Sequence, residues 1–229
     1  MIKIDILTLF PEMFNPFIKE SIIGRAIKDN KVSINIINIR NFSKEKNKQV
    51  DDYSFGGNGG MVLMCEPVVS AIESVKKDDS LVIMMSPKGK KYTQEKAKEL
   101  KNVNHLILVC GHYEGFDERI RNFIDEEISI GDYVLTGGEL PAMVICDSVI
   151  RLIDGVITKT SLDSESFNDN LLDYPVYTKP RVFRNLEVPE VLLNGNHEKI
   201  KEYRESERIR LTKERRKDLL SEEEKWNIF

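Results

Sequence analysis

Cysteine is scarce: Cys65, Cys110 and Cys146 are the only three in 229 residues, and they lie too far apart to suggest a disulfide framework or a zinc knuckle. A reducing cytoplasm is the expected compartment. No apolar run approaches the roughly 20 residues needed to span a bilayer. The opening "MIKIDILTLFPEMF" reads as a strand and a turn, without a signal-peptide plan, so no membrane partner is expected. Basic charge is not in excess either: a net charge of −4 excludes a globally basic nucleic-acid binder but leaves room for a local patch. Two nucleotide-binding signatures are also missing. A dinucleotide fingerprint needs G-x-G-x-x-G directly after the first strand, where this chain has "LFPEMF", and no G-x-x-x-x-G-K-[ST] occurs. Internal repeats are absent. The 41% hydrophobic and 31% charged residues that remain fit a soluble globular protein with one large domain, or a main domain and a smaller one.

Roughly the first 155 residues alternate short apolar strands with helix-like stretches. "IKIDILTL" and "VSINIINI" alternate as half-buried strands do, whereas "LVIMM" and "HLILVC" are continuous apolar runs, as strands covered on both faces would be. Helices are expected over residues 14–29, 67–77 and 93–100, with Pro67 in a first turn and Thr93 as a cap. Strands separated by helices predict an α/β class domain with a mostly parallel sheet, over residues 1–157. The stretch "TKTSLDSESFNDN" is polar and aperiodic, and residues 158–175 are expected to form a flexible interdomain linker. A small helical C-terminal domain is expected over residues 176–229. Between Lys199 and Lys217 nine basic residues face four acidic ones, a local net of +5. That run is either a solvated helix face laced with i,i+4 pairs or a surface for phosphates.

Three loops rich in turn-formers follow strand candidates: "SPKGKK" after Met85, "GHYEGFDER" after Cys110 and "GDYVLTGGELP" after Ile130. Ligands in open α/β sheets collect outside the carboxyl ends of strands, where such loops gather. One such loop would be an ordinary turn; three near the sheet centre point to a shared ligand.

"SPKGKKYTQEKAKEL", "LVCGHYEGFDERI" and "EISIGDYVLTGGELPAMVICDSVIRLIDGVI" resemble the bacterial tRNA (guanine-N1)-methyltransferases of the TrmD family, a SPOUT class. "LTLFPEMF", "VDDYSFGGNGGMVLM", "LLDYPVYTKP" and "VPEVLLNGNHEKI" resemble it too, in the same order from Ile6 to about Leu220. The resemblance implies a deep trefoil knot, which no sequence pattern reveals and which base expectation disfavours. It implies a homodimer whose active site forms between subunits, with tRNA as partner. The implied reaction is methylation of N1 of guanosine-37, just 3′ of the anticodon and preceded by guanosine-36, with S-adenosyl-L-methionine as donor. It places the donor, in a bent shape, against Met85, Ser86 and Pro87, against Gly111, Tyr113, Glu114 and Gly115, and against Ile130, Gly131, Asp132, Tyr133, Val134, Leu135, Gly138 and Pro141. Gly131, Gly137 and Gly138 would let main-chain groups wrap an adenine and ribose. Taken alone, Tyr113 and Tyr133 could equally be core residues with satisfied hydroxyls. The family's enzymes also depend on Mg2+, but no ligand cluster is legible here, so an ion would act through carboxylates and water.

Neutral guanine carries a proton on N1, so the chemistry needs a general base and a partner for charge developing on O6. In the family these are a linker Asp before a Ser-Phe pair and an Arg on the preceding helix. Anchoring on Ser166 and Phe167 gives Glu165 as the base, a departure that adds one methylene, and Arg151 as the cation. Asp163 and Asp169 are the substitutes. Taken alone, Glu165 reads as a solvated linker acid and Arg151 as a helix-surface partner of Asp147. Asp51 and the glycine turn at residues 56–60 match the stretch near the target guanine, though Asp51 could instead cap a turn. Gly59 stands where the family commonly has proline, Tyr203 where Trp is common, Lys179 for an Arg and Asn170 for a Gly. A different SPOUT-type RNA methyltransferase and a non-catalytic RNA-binding module are the rival readings.

Overall fold

Side chains alternate across a strand, and the computed structural model uses that alternation to build two cores. It describes residues 1–57, 59–158 and 165–220. In β1 (Ile2–Thr8), Ile2, Ile4 and Ile6 enter one apolar cluster and Leu7 enters the other. β2 (Val32–Asn38) pairs parallel to β1 at the sheet edge. A hairpin of β3 (Asp51–Tyr53) and β4 (Met61–Leu63) stands outside the main sheet. β5 (Ser80–Lys91) and β6 (His105–Val109) divide their residues as β1 does: Ile83, Met85, Leu106 and Leu108 on one face, Val82, Met84, Ile107 and Val109 on the other. With β7 (Glu126–Ser129) the five-stranded parallel sheet has the order β2-β1-β6-β5-β7.

Helices cover both faces. α1 (Asn15–Lys19), α2 (Ser21–Lys28), α4 (Gln94–Leu100) and α5 (Glu139–Ile150) pack on the first face, and α3 (Cys65–Val75) on the second. This is the α/β class with a mostly parallel sheet. Thr93 caps α4, its hydroxyl accepting from the Lys96 N–H at 3.4 Å, and Pro67 falls in the first turn of α3.

Three expectations need correction. The single helix over residues 14–29 is two, because Ser21 adopts a left-handed φ of 55° and a Cβ on Gly24 would lie 2.3 Å from the Lys19 carbonyl oxygen. β1 is buried on both faces, being flanked by β2 and β6 and covered by both helical layers. The loop expected directly after Met85 is the second half of a long strand. β5 bulges after Met85 and rejoins β7 at Lys90, and at Gly89 it runs so close that a Cβ would lie 2.4 Å from the Ile128 nitrogen.

At the amino ends of the strands, Asp5 is fully buried and accepts from Asn35 at 3.2 Å, pairs with Lys3 at 2.7 Å and meets His105 Nε2 at 2.8 Å. His105 Nδ1 lies 2.7 Å from the Ser80 hydroxyl, which also accepts from the Lys77 N–H. Four strands are thereby cross-linked in one polar layer.

The chain divides into two compact units, Met1–Ile157 and Thr158–Phe229. In the second, β8 (Val182–Phe183) and β9 (Leu186–Glu187) form a short hairpin. α6 (His197–Arg215) starts at Asn196, whose side chain accepts from the Lys199 N–H at 3.2 Å. Residues 165–173 are held to this helix. Asp169 pairs with Arg208, the Leu172 N–H donates to the Thr212 hydroxyl at 2.9 Å, and Phe167 N–H donates to the Leu171 carbonyl at 2.9 Å. No helix among the described residues is long and apolar enough to cross a membrane.

Candidate functional site

β6, β5 and β7 are neighbours; the loops at residues 110–117 and 130–138 follow β6 and β7, and β5 contributes its bulge at residues 86–88. A cavity of about 270 Å³ opens between these loops. Met85, Ser86, Pro87, Gly111, Tyr113, Glu114, Gly115, Ile130, Gly131, Tyr133, Val134, Leu135, Gly138 and Pro141 line it, all as expected from the sequence. Asp132 does not: its side chain is 91% exposed and pairs with Lys91 at 3.6 Å, because the turn at Gly131 faces it outward.

Glycine is required where the walls press closest. A Cβ on Gly138 would lie 2.7 Å from Cys110 Cα and from the Gly111 nitrogen, and one on Gly111 would lie 2.6 Å from the Phe116 ring. The Gly138 N–H donates to the Gly111 carbonyl at 2.8 Å, which joins two of the loops directly. Tyr113 holds a left-handed φ of 59°, a conformation that a non-glycine residue keeps only when its surroundings impose it. Neither Tyr113 nor Tyr133 is a core residue; they are 41% and 56% exposed. The Tyr113 hydroxyl accepts from Arg40 at 3.4 Å.

The hairpin of β3 and β4 is stitched to the same loops. Glu114 N–H donates to the Met61 carbonyl at 3.0 Å, and Leu63 N–H to the Gly115 carbonyl at 2.9 Å. A Cβ on Gly60 would strike the Glu114 side chain at 2.4 Å, whereas Gly59 faces open space. Asp51 begins β3 and is not in the cavity lining; its carbonyl accepts from the Gln49 side chain at 2.8 Å. Arg151 ends α5, with its N–H bonded to the Asp147 carbonyl at 3.1 Å, and is likewise outside the lining.

Of the charged residues in the wall Glu114 was expected, whereas Lys88, Arg121 and Glu127 were not. Arg121 makes a two-pronged pair with Glu127, at 2.8 and 2.9 Å, and a further pair with Glu118 at 2.8 Å. Lys88 lines the cavity beside Ser86, whose hydroxyl accepts from the Lys88 N–H at 3.1 Å. His112, Phe116, Ser129, Thr136 and Gly137 are among the other additions. His112, Glu127 and Ser129 fall within the quoted motifs; nothing local marks Arg121.

Of the linker acids, Asp163 lies outside the described residues. The carboxyl of Asp169 is held below the usual range by its hydrogen bond from Arg208. Glu165 opens the turn at residues 165–171 of the second unit. In α6 many cations are matched within the helix, Arg210 by Glu207 and Glu214, while Lys199, Lys201, Lys213, Arg215 and Lys217 have no ion pair among the described residues. No group of three or more His, Cys, Asp or Glu among the described residues could hold a metal ion.

The sequence model of a family described as tRNA (Guanine-1)-methyltransferase TrmD matches residues 2–222. A protein of Ureaplasma urealyticum named tRNA (guanine-N(1)-)-methyltransferase is 55% identical over 218 residues, 95% of this chain and 96% of that one. Proteins of the same name from Malacoplasma penetrans and Ruminiclostridium cellulolyticum are 57% identical over 217 residues and 55% over 224. The first covers 95% of this chain and 96% of its own length, the second 96% of each.

Proposed function

Because the chain belongs to the tRNA (guanine-1)-methyltransferase TrmD family, we propose that it methylates N1 of guanosine-37 in tRNA, with S-adenosyl-L-methionine as the donor. The observation that carries this reading is the convergence of two glycine-bearing loops and the bulge of β5, from three adjacent parallel strands, on one cavity. The residues present fit the donor. Apolar walls from Met85, Leu135 and Pro141, the Ser86 hydroxyl and main-chain groups freed by Gly111, Gly131 and Gly138 suit a nucleoside with an aliphatic tail. When bound, the donor supplies an electrophilic methyl carbon on sulfur.

Everything else falls to side chains of the protein. Glu165 accepts the N1 proton of the guanine, and Arg151 meets the negative charge that develops on O6. Asp169 is a poor base because Arg208 stabilises its charged form, which leaves Glu165 as the better candidate of the two described acids. Asp51, at the base of a hairpin bound to the donor loops, positions the guanine. The unpaired cations of α6 contact phosphates and help offset the cost, about a few kcal/mol, of turning the base out of its stack.

The finer features of the family belong to the same proposal. The C-terminal half of the α/β domain would be threaded into a deep trefoil knot; the bonds from Gly138 to Gly111 and from Thr8 to Glu139, which tie the start of α5 to the ends of β6 and β1, support that reading. The protein would act in the cytoplasm as a homodimer, with the linker acid of one copy serving the donor cavity of the other. Among the described residues no cluster of three or more His, Cys, Asp or Glu offers itself to a Mg2+.

The test is transfer of labelled methyl to two transcripts that differ only at guanosine-37, each with guanosine-36 before it. Label in the guanosine-37 transcript alone is expected. Equal labelling of both, or label on ribose, would favour a different RNA methyltransferase.

A further inference from the structure

Beneath the donor cavity lies a buried carboxylate that the mechanism does not use. Glu139 is the first residue of α5, is 3% exposed, and is 131 positions from the Thr8 hydroxyl that donates to its Oε1 at 2.7 Å. Thr8 is fully buried, and its hydroxyl also accepts from the Phe10 N–H at 2.9 Å. The other oxygen, Oε2, faces Gly137: a Cβ built there would lie 2.4 Å from Oε2 and 2.9 Å from His112 Nδ1. His112 and Gly137 are bridge partners, and His112 Nδ1 is buried without a hydrogen-bond partner. The ring is wedged between Phe10 and Tyr113, each 4.9 Å away, and the residue lines the cavity.

A buried nitrogen without a partner is costly, and a carboxylate oxygen of the buried Glu139 is turned to the same spot. A proton on Nδ1 shared with that oxygen would give the nitrogen its partner. We infer that Glu139 is a positioning residue for the donor cavity: its Oε2 accepts the Nδ1–H of His112, which clamps the loop after β6 onto the Gly137–Gly138 turn and leaves Nε2 as an acceptor. The partner of one ring nitrogen decides which carries the proton, so Glu139 also fixes the tautomer of a cavity-lining ring. The acceptor suits an amino or hydroxyl group of a nucleoside. This inference rests on the reading that the cavity holds the methyl donor.

Two measurements separate the inference from that reading. The first needs no ligand: ¹⁵N spectra of histidine-labelled protein report the tautomer of each ring. His105 serves as the internal contrast, because Asp5 receives its Nε2 side and Ser80 its Nδ1 side. His112 is expected to carry its proton on Nδ1, and Glu139→Gln, whose amide can donate to Nδ1, is expected to move it to Nε2. The second is calorimetric binding of S-adenosylhomocysteine. Gln keeps the acceptor for Thr8, so a merely structural strut predicts unchanged affinity, whereas the inference predicts a loss of about tenfold, the factor one net hydrogen bond supplies. Should Glu139→Gln fail to fold, His112→Gln is expected to lose more affinity than His112→Asn, which keeps an N–H near the place of Nδ1. A His112 protonated on Nε2 in the unaltered protein, or unchanged affinity in folded Glu139→Gln, overturns the inference. Failure of the unaltered protein to bind at all overturns the donor-cavity reading instead.

Discussion

The two units bury different things. Met1–Ile157 places Asp5, Thr8, His105, Ser129 and Glu139 inside a core of branched aliphatic residues, with hydrogen bonds or ion pairs for each. Thr158–Phe229 has a 19-residue helix whose buried side chains are Arg208, Leu211 and Thr212, with Leu220 beyond it. A cavity needs walls that stay fixed, and the first unit supplies them through a sheet covered on both faces. A surface for a flexible polyanion needs cations left without partners, and the second unit has five of them on or just beyond α6. Under the proposed function, the first unit would hold the small-molecule donor and the second would meet the charged polymer.

The sharpest way to break that contrast is at the base. Glu165→Gln, in the second unit, is expected to lower kcat by about 10³-fold, within the range general-base catalysis supplies, while donor affinity in the first unit stays within about threefold, less than the tenfold that 1.4 kcal/mol makes. Rapid-quench methylation and calorimetry on the same variant check both halves; near-normal turnover would move the role to another linker acid. Next in size is a change confined to the first unit. Asp5→Asn leaves Lys3 and His105 short of a buried acceptor and is expected to lower unfolding free energy by about 3 kcal/mol. Urea unfolding measures it.

In the second unit the corresponding change is expected to be small. Asp169→Asn loses the pair with Arg208, but the Asp169 side chain is 53% exposed, so about 1 kcal/mol or less is at stake. Its carboxyl is held below the usual range by Arg208, so this contribution is present above the ordinary carboxylate pKa and is lost as pH falls through the lower folded one. Hydrogen exchange of α6 across acid pH checks it. A further effect is alkaline. Burial pushes Tyr92 and Cys146 up to about 12 and raises Cys110 as well. The folded first unit keeps those protons after the unfolded chain has released its own, so stability falls as pH rises from about 9 toward 12. Tyr92→Phe is expected to flatten the upper part of that slope in urea melts, and an unchanged slope would assign it to the thiols.

Strands β5 and β6 were legible as apolar runs because both faces are covered, and Thr93 as a cap because its oxygen meets a backbone N–H three residues on. The break at Ser21 was not legible, since it depends on Gly24 meeting the Lys19 carbonyl. The glycine motifs located most of the cavity, yet Asp132 lies within a motif and points away from the cavity. Arg121 is the converse: it lies outside every quoted motif and lines the wall, paired with Glu127. The bond from Thr8 to Glu139 spans 131 positions and becomes visible only when β1 and α5 meet.

The most direct test of the account is a crystal grown with S-adenosylhomocysteine. Density for a bent nucleoside bounded by Met85, Gly111, Gly131 and Pro141 is the predicted result; a vacant cavity with the ligand bound elsewhere would contradict it.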